Sequence, residues 1–268
     1  MRPGSQSLAL VLGALLALGG AAPLAAAPGP LISGCATLSS PGAYQLTRDV
    51  ATSASGACIS IIAPDVKLEL GGHTLTGPGQ AIAGGSVGVY IAPAATDARV
   101  VDGTVTGFYY GVADDGPGAI IQGVTARANR VLGIVVGDVT IGSGGVCGAC
   151  GPIPVNGSRL VNDRALDNTA GIALNDASAT TVANSTTSGN LAQGIAIGFR
   201  SSRDRVDANT SNNNLGQGIL VDVGATANQL ASNTATGNFV DLKDNNPNCD
   251  SNQWVSNTFG TANQGCID

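Results

Sequence analysis

The sequence predicts an all-β chain wound as a single-stranded right-handed parallel β-helix of about eight to nine coils with disulfide-pinned ends. Three observations predict it: a motif that repeats every 22–25 residues, strand-like alternation inside each copy, and a composition suited to a narrow core. The motif reads Asn129-Arg-Val-Leu-Gly133-Ile134, Asn168-Thr-Ala-Gly171-Ile172, Asn190-Leu-Ala-Gln-Gly194-Ile195 and Asn214-Leu-Gly-Gln-Gly218-Ile219. Degenerate copies occur at Gly88-Val89, Gly111-Val112 and Asn238-Phe-Val-Asp241-Leu242. From Gly111 the glycines are spaced 22, 38, 23 and 24 residues apart, and the long gap holds the Gly/Pro-rich insertion 142–154. Such a fixed period marks a solenoid.

Within "GIAIG" and "GILVDV" the apolar residues alternate with period two, as in a strand. Ile134, Ile172, Ile195, Ile219 and Leu242 share one repeat position; Val136, Leu174, Ile197 and Val221 share the position two later. Coils stacked at about 4.8 Å turn these into continuous inward ladders. Asn162, Asn184, Asn209, Asn233 and Asn257 recur ahead of the copies and fall at turns, where asparagine tolerates left-handed backbone and stacks along the ladder. Glycine before each strand is expected to supply a sharp corner. A helical solenoid would need a 3.6-residue apolar period, and glycine, asparagine and threonine are too dense for that. Right-handedness rests on the general preference of parallel crossovers.

Of 268 residues, 39 are glycine, 3% are aromatic and 43% hydrophobic, which suits a core of Ile, Val, Leu and Ala and excludes disorder. The net charge is −6 and no basic patch is visible, which disfavours nucleic-acid binding.

Arg2, the apolar run Leu8–Leu18 and Ala25-Ala26-Ala27 have the form of an export signal over residues 1–27. No later apolar run is long enough for a transmembrane helix, so a secreted mature protein, periplasmic or extracellular, is expected. Ile32-Ser33-Gly34-Cys35 resembles a lipobox, but prolines separate it from the apolar run and acylation would leave an odd number of cysteines. Residues 28–64 then form an N-terminal cap, 65–247 the repeats and 248–268 a C-terminal cap. Six cysteines in an exported chain favour disulfides. The simplest pairings are local: Cys35–Cys58, Cys147–Cys150 and Cys249–Cys266. The middle pair has C-x-x-C spacing, but no second such motif and no βαβ setting accompany it, so a loop staple outweighs a redox or zinc role.

"VKLELGGHTLTG", Val66–Gly77, resembles the N-terminal coil of exported bacterial right-handed β-helix repeat proteins, and the Asn…Gly-Ile copies resemble the repeat of pectate-lyase-like domains. "NNPNCDSNQWVSNTFGTANQGCID" is similar to the closing segment of that group. The resemblance covers about Cys35 to Asp268. It implies the fold, but the superfamily spans lyases, hydrolases, epimerases, phage tailspikes and an accessory protein of nitrous-oxide reductase, so the fold alone carries no function.

Inverting hydrolysis of a polyuronate needs two carboxylates on either side of the scissile bond; β-elimination needs a base, commonly with Ca²⁺. Asp114-Asp115 is the only adjacent acidic pair, and Asp114 falls where Val136 points inward in the next coil. Asp114, Asp115, Arg127 and Arg130 are therefore the catalytic candidates, set against the plainer reading that the strand ends there. The polygalacturonase elements Gly-His-Gly and Arg-x-Lys are missing. Ca²⁺ is the one cofactor the acidic residues suggest, through Asp115, Asp138 and Asp176 at successive strand ends; solvated loop carboxylates outweigh it. The register stacks Phe108 on Arg130, with Tyr109 beside them. Outward Tyr109 and Tyr110 with Arg127, Arg130 and Asp115 form a candidate sugar platform, against plain turn packing. His73 reads as a structural histidine rather than a base. Arg200, Arg203 and Arg205 with Asp204 and Asp207 read as a solvated charged corner, and Trp254 as a lid on the open end of the core. The expected role is a non-catalytic surface, matrix or glycan-binding module with a polysaccharide partner; the alternative is a lyase, epimerase or hydrolase acting on an acidic polysaccharide. The oligomeric state is not legible.

Overall fold

The alternation of each repeat does place one row of side chains inside and the next outside. The computed structural model describes residues 29–79, 85–137 and 155–268. The signal-like segment, Asp138 and the Cys147/Cys150 pair lie outside the described residues. Each full coil presents three strand-bearing faces, and equivalent strands of successive coils pair in parallel, as Ile134 does with Ile172 and Leu160 with Val182. The first face is a nine-stranded stack that includes Ser86–Ile91, Tyr110–Asp114, Leu132–Val136, Ala170–Leu174 and Val240–Asp244. The second and third faces belong to one seventeen-stranded sheet, joined where Arg99–Thr106 and Ile120–Arg127 run through the bend.

The predicted ladders are present in register. Val112, Ile134, Ile172, Ile195, Ile219 and Leu242 pair in sequence and are all buried. The second face contributes Leu68, Val100, Ile121, Leu160, Val182, Val206, Leu230 and Trp254. Trp254 closes this row at 5% exposure, its indole Nε1–H donating to Asp244. Under the third face the row shrinks from Leu75 and Val105 to Ala126, Ala165, Thr187, Ser211 and Ala235.

Polar ladders line the corners. Asn129, Asn168, Asn190 and Asn214 each donate a backbone N–H to the side-chain oxygen of the next rung, ending on Asn238. Their side-chain amides donate both forward and to a carbonyl one coil back, as Asn190 Nδ2 does to Asn214 Oδ1 and Ala165 O. Stacked amides of this kind satisfy buried donors in each coil from Asn129 to Asn238. Two further ladders run Asp163–Ser185–Asn209–Asn233–Asn257 and Thr180–Asp204–Asn228–Asn252.

Two expectations change. Asn162 and Asn184 are not equivalent to Asn209, Asn233 and Asn257; they precede the ladder by one residue. They take the left-handed backbone (φ 59° and 52°) that Ala208, Ser232 and Ser256 take in later coils. The repeat glycines are not left-handed corners either. A Cβ on Gly111 would lie 2.4 Å from the Gly133 carbonyl oxygen, and one on Gly171 2.4 Å from that of Gly194. Their reason is close approach between coils rather than backbone freedom.

The Cys35–Cys58 and Cys249–Cys266 disulfides pin the two ends. Cys35, the residue of the lipobox-like stretch, is thus bonded to Cys58. Among the described residues no helix is long and apolar enough to cross a membrane.

Candidate functional site

The catalytic candidates separate on the folded chain. Asp114 ends the strand Tyr110–Asp114 in register with Ile91 before it and Val136 after it, so its side chain enters the core. It is 0% exposed. The Ser158 hydroxyl (2.8 Å) and the Gly116 N–H (3.0 Å) donate to it. Burial pushes its carboxyl up to about 7 against those two bonds, and the neighbouring Asp115 charge adds to the rise. Asp115 leaves the coil half-buried and accepts the Tyr90 hydroxyl at 3.0 Å. Burial and the Asp115 charge hold that phenol well above its ordinary range. One carboxyl inside the coil and one outside it do not flank a common scissile bond.

The basic and aromatic candidates gather at the other end of the same strand, where a coil enters the first face. Arg130 places its guanidinium 5.9 Å from the Tyr109 ring centre, and Tyr109 meets Tyr110 edge to face at 4.9 Å. The Arg130 N–H donates to the Phe108 carbonyl as the register predicts, but the Phe108 ring turns into the core at 1% exposure, so Tyr109 and not Phe108 receives the arginine. Arg127 faces out of the third stack and pairs loosely with Asp167 at 3.8 Å. A five-residue strand, roughly 16 Å, separates this corner from Asp115, so the expected platform is not one cluster.

The Ca²⁺ candidates divide as well. Asp176 is tied to Arg200 at 2.9 Å, and Asp115 to Tyr90. No group of three or more His, Cys, Asp or Glu suited to a metal occurs among the described residues. His73 does have an acidic partner, distant in sequence: its Nδ1 lies 3.4 Å from Asp49, which also accepts the Thr74 N–H. The charged corner needs correction at one residue: Asp204 is buried, at 1% exposure, while Arg205 stays outside paired with Asp207.

A site absent from the sequence reading lies on the outer side of the second face. A groove of about 320 Å³ crosses three coils and is lined by Lys67, Glu69, Arg99, Asp102, Ile120 and Gln122, among others. Strand pairing makes it: Lys67 stacks on Arg99 and Arg99 on Ile120, while Glu69 stacks on Val101 and Val101 on Gln122. Lys67 also pairs with Glu69 across its own strand. The two cations thus stand one coil apart in a groove that also holds the carboxylates of Glu69 and Asp102. The signal was outward alternation in "VKLE" and "ARVVD", but these N-terminal coils lack the regular period that would have aligned Lys67 with Arg99.

With fold and surface in place, the class follows: the chain is a right-handed parallel β-solenoid. It belongs to the right-handed β-helix family, whose model "Right handed beta helix region" matches residues 87–259. No curated protein matches the sequence. Among solved structures the Dettilon tailspike protein is similar at TM-score 0.64 and 14% identity, over 85% of this chain and 51% of that one. The enzymatically active domain of tailspike protein 2 from bacteriophage CBA120 is similar at 0.58 and 14%, over 84% and 38%. The A-module of the Azotobacter vinelandii mannuronan C-5 epimerase AlgE4 is similar at 0.54 and 13%, over 82% and 68%. The chain spans about half the length of the Dettilon tailspike or less in the case of the CBA120 protein. At these identities the likeness is one of fold.

Proposed function

We propose that the protein is an exported β-helix that binds a polysaccharide on its outer surface without turning it over. The groove across Lys67, Arg99 and Gln122 carries this reading, because it offers ammonium, guanidinium, amide and carboxylate groups in register over three coils. Such groups hydrogen-bond sugar hydroxyls and carboxylates, Arg in a fixed fork. Two disulfides fit an oxidising compartment outside the cytoplasm. The separation of Asp114 from Asp115 supports the non-catalytic part. A long chain laid along the stack would meet repeated contacts, so affinity would come from several weak sites.

A second reading is a polysaccharide lyase, epimerase or hydrolase. It is favoured by Glu69 and Asp102 sharing the groove with two cations and by the epimerase and tailspike folds named above. One experiment separates the two. The purified mature chain is incubated with pectate, alginate, hyaluronan and neutral glucans, with and without Ca²⁺, while polymer length, C5 configuration and binding are all followed. Retention of one polymer with no change in it, weakened at least tenfold in Arg99→Ala, is the expected result. Shortening or epimerisation of any polymer overturns the non-catalytic reading. Binding to none of them overturns both.

A further inference from the structure

The corner ladders contain two rungs of the wrong chemistry. Asp163 occupies the position that Ser185, Asn209, Asn233 and Asn257 fill in later coils, and Asp204 the position of Asn228 and Asn252. Each is 1% exposed. One carboxyl oxygen of each does what an asparagine Oδ1 does: it accepts a backbone N–H from the preceding coil, Val124 for Asp163 and Thr180 for Asp204, both at 2.8 Å. The other oxygen of each is buried with no hydrogen-bond partner, as is the Thr180 hydroxyl in the Asp204 rung.

The amide rungs show what that second atom should be. Asn209 Nδ2 donates to the Val182 carbonyl, Asn233 Nδ2 to that of Val206, and Asn252 Nδ2 to that of Ala225. The place is built for a donor. A carboxylate has none, and would leave a bare buried charge where the asparagine rungs direct a donor at a carbonyl oxygen; a carboxylic acid has an O–H to place there, as an amide has its N–H.

We propose that Asp163 and Asp204 are carried as carboxylic acids, and that their ionisation loosens the ladders, making the winding of the middle coils a pH-sensitive element. The groups around them allow it. Asp163 meets the Val124 and Val161 amides and no charged side chain contributes there; Asp204 has Arg203 as its charged neighbour. Burial pushes Asp163 up to about 8 and Asp204 up to about 7, against the Val124 and Val161 N–H groups in the first and the Thr180 N–H and Arg203 in the second. Both folded values exceed the unfolded value of about 3.9. The folded state thus holds more protons than the unfolded state between those values, and stability falls as pH rises through that window, levelling once both groups are ionised.

The test is thermal unfolding of the whole mature chain from pH 5 to 9, for the natural protein and for the Asp163→Asn/Asp204→Asn variant. The natural protein is expected to lose on the order of 5 °C or more in Tm across this range; the amide variant should lose less, its remaining loss belonging to the buried Asp114 carboxyl, and be the more stable of the two at pH 9. Identical pH profiles, or a variant less stable than the natural protein at pH 9, overturn the proposal. If the variant does not fold, the aspartate side-chain carboxyls of the natural protein, followed by carbon NMR, decide the matter: titration of Asp163 and Asp204 near 4 overturns it, and titration near neutrality sustains it.

Discussion

The coils before and after the insertion are wound alike and held differently. From Ile59 to Phe108 the interior is large and apolar: Ile59, Ile61, Leu68, Leu70, Leu75, Ile91 and Phe108 are all essentially unexposed. From Arg159 onward the third-face interior is Ala165, Thr187, Ser211 and Ala235, with Thr187 donating to Ser211 and Ser211 to the Gly218 carbonyl. There the coils are joined by the three corner ladders. A parallel stack can therefore be closed by apolar volume or by repeated hydrogen bonds. The hydrogen-bonded half is the one with the regular period, because a side-chain ladder tolerates no shift of a rung, whereas an apolar core adapts to different loop lengths.

The comparison can be broken from either side. The largest effect belongs to the apolar half: Leu68→Ala is expected to cost about 4 kcal/mol, lost transfer energy plus the cavity left between Tyr44 and Val100. Denaturant unfolding measures it. In the ladder half, Asn214→Ala removes the acceptor of both the Asn190 N–H and the Asn190 amide, and one donor to Asn238. With buried groups left unpaired, about 3 kcal/mol is expected. Asn129→Ala at the ladder's first rung strands one upstream donor, the Phe108 N–H, and takes one amide donor from the Val105 carbonyl; it should cost about half as much. Equal costs at the middle and the end would show that the rungs act independently rather than as a chain. Between the two asparagine effects in size, reducing each disulfide in turn should fray its own end by about 2 kcal/mol, read by hydrogen exchange in Ala36–Leu38 for the first and in Gln253–Val255 for the second; loss of protection across all coils would mean the two halves are one cooperative unit.

What was legible in the sequence follows the same division. The ladders Ile134–Ile172–Ile195–Ile219–Leu242 could be aligned by counting, since each coil from Asn168 onward repeats within two residues of the last. The amide positions were visible but one step ambiguous: Asn162 and Asn184 satisfy the period, and only the hydrogen bonds show that Asp163 and Ser185 are the true rungs. Asp204 was assigned to solvent because three arginines surround it in sequence, although alternation sends neighbouring residues to opposite sides of the coil. The groove escaped for the opposite reason. Lys67 and Arg99 meet through coils of unequal length, and no period connects them. Asp114 was legible as an inward break in pattern; that it would be met by Ser158, from beyond the insertion, was not.

The smallest predicted effect decides what Asp115 is for. Tyr90 and Asp115 lie at the exit of the first face, and the bond between them is half-buried. Tyr90→Phe removes one hydrogen bond to a charged group while keeping the ring, and should cost about 1–2 kcal/mol, with the carboxylate rehydrating in its half-exposed position. If Asp115 is only a brace, Asp115→Ala should lower thermal stability by a similar amount, the double variant should cost no more than either single one, and polysaccharide binding through the Lys67–Arg99 groove should be untouched in all three. If Asp115 instead serves a site, Asp115→Ala should abolish binding or turnover while leaving Tm nearly unchanged. The brace is the expected outcome, because the partner that a substrate would need is already occupied by a phenol whose proton burial holds in place.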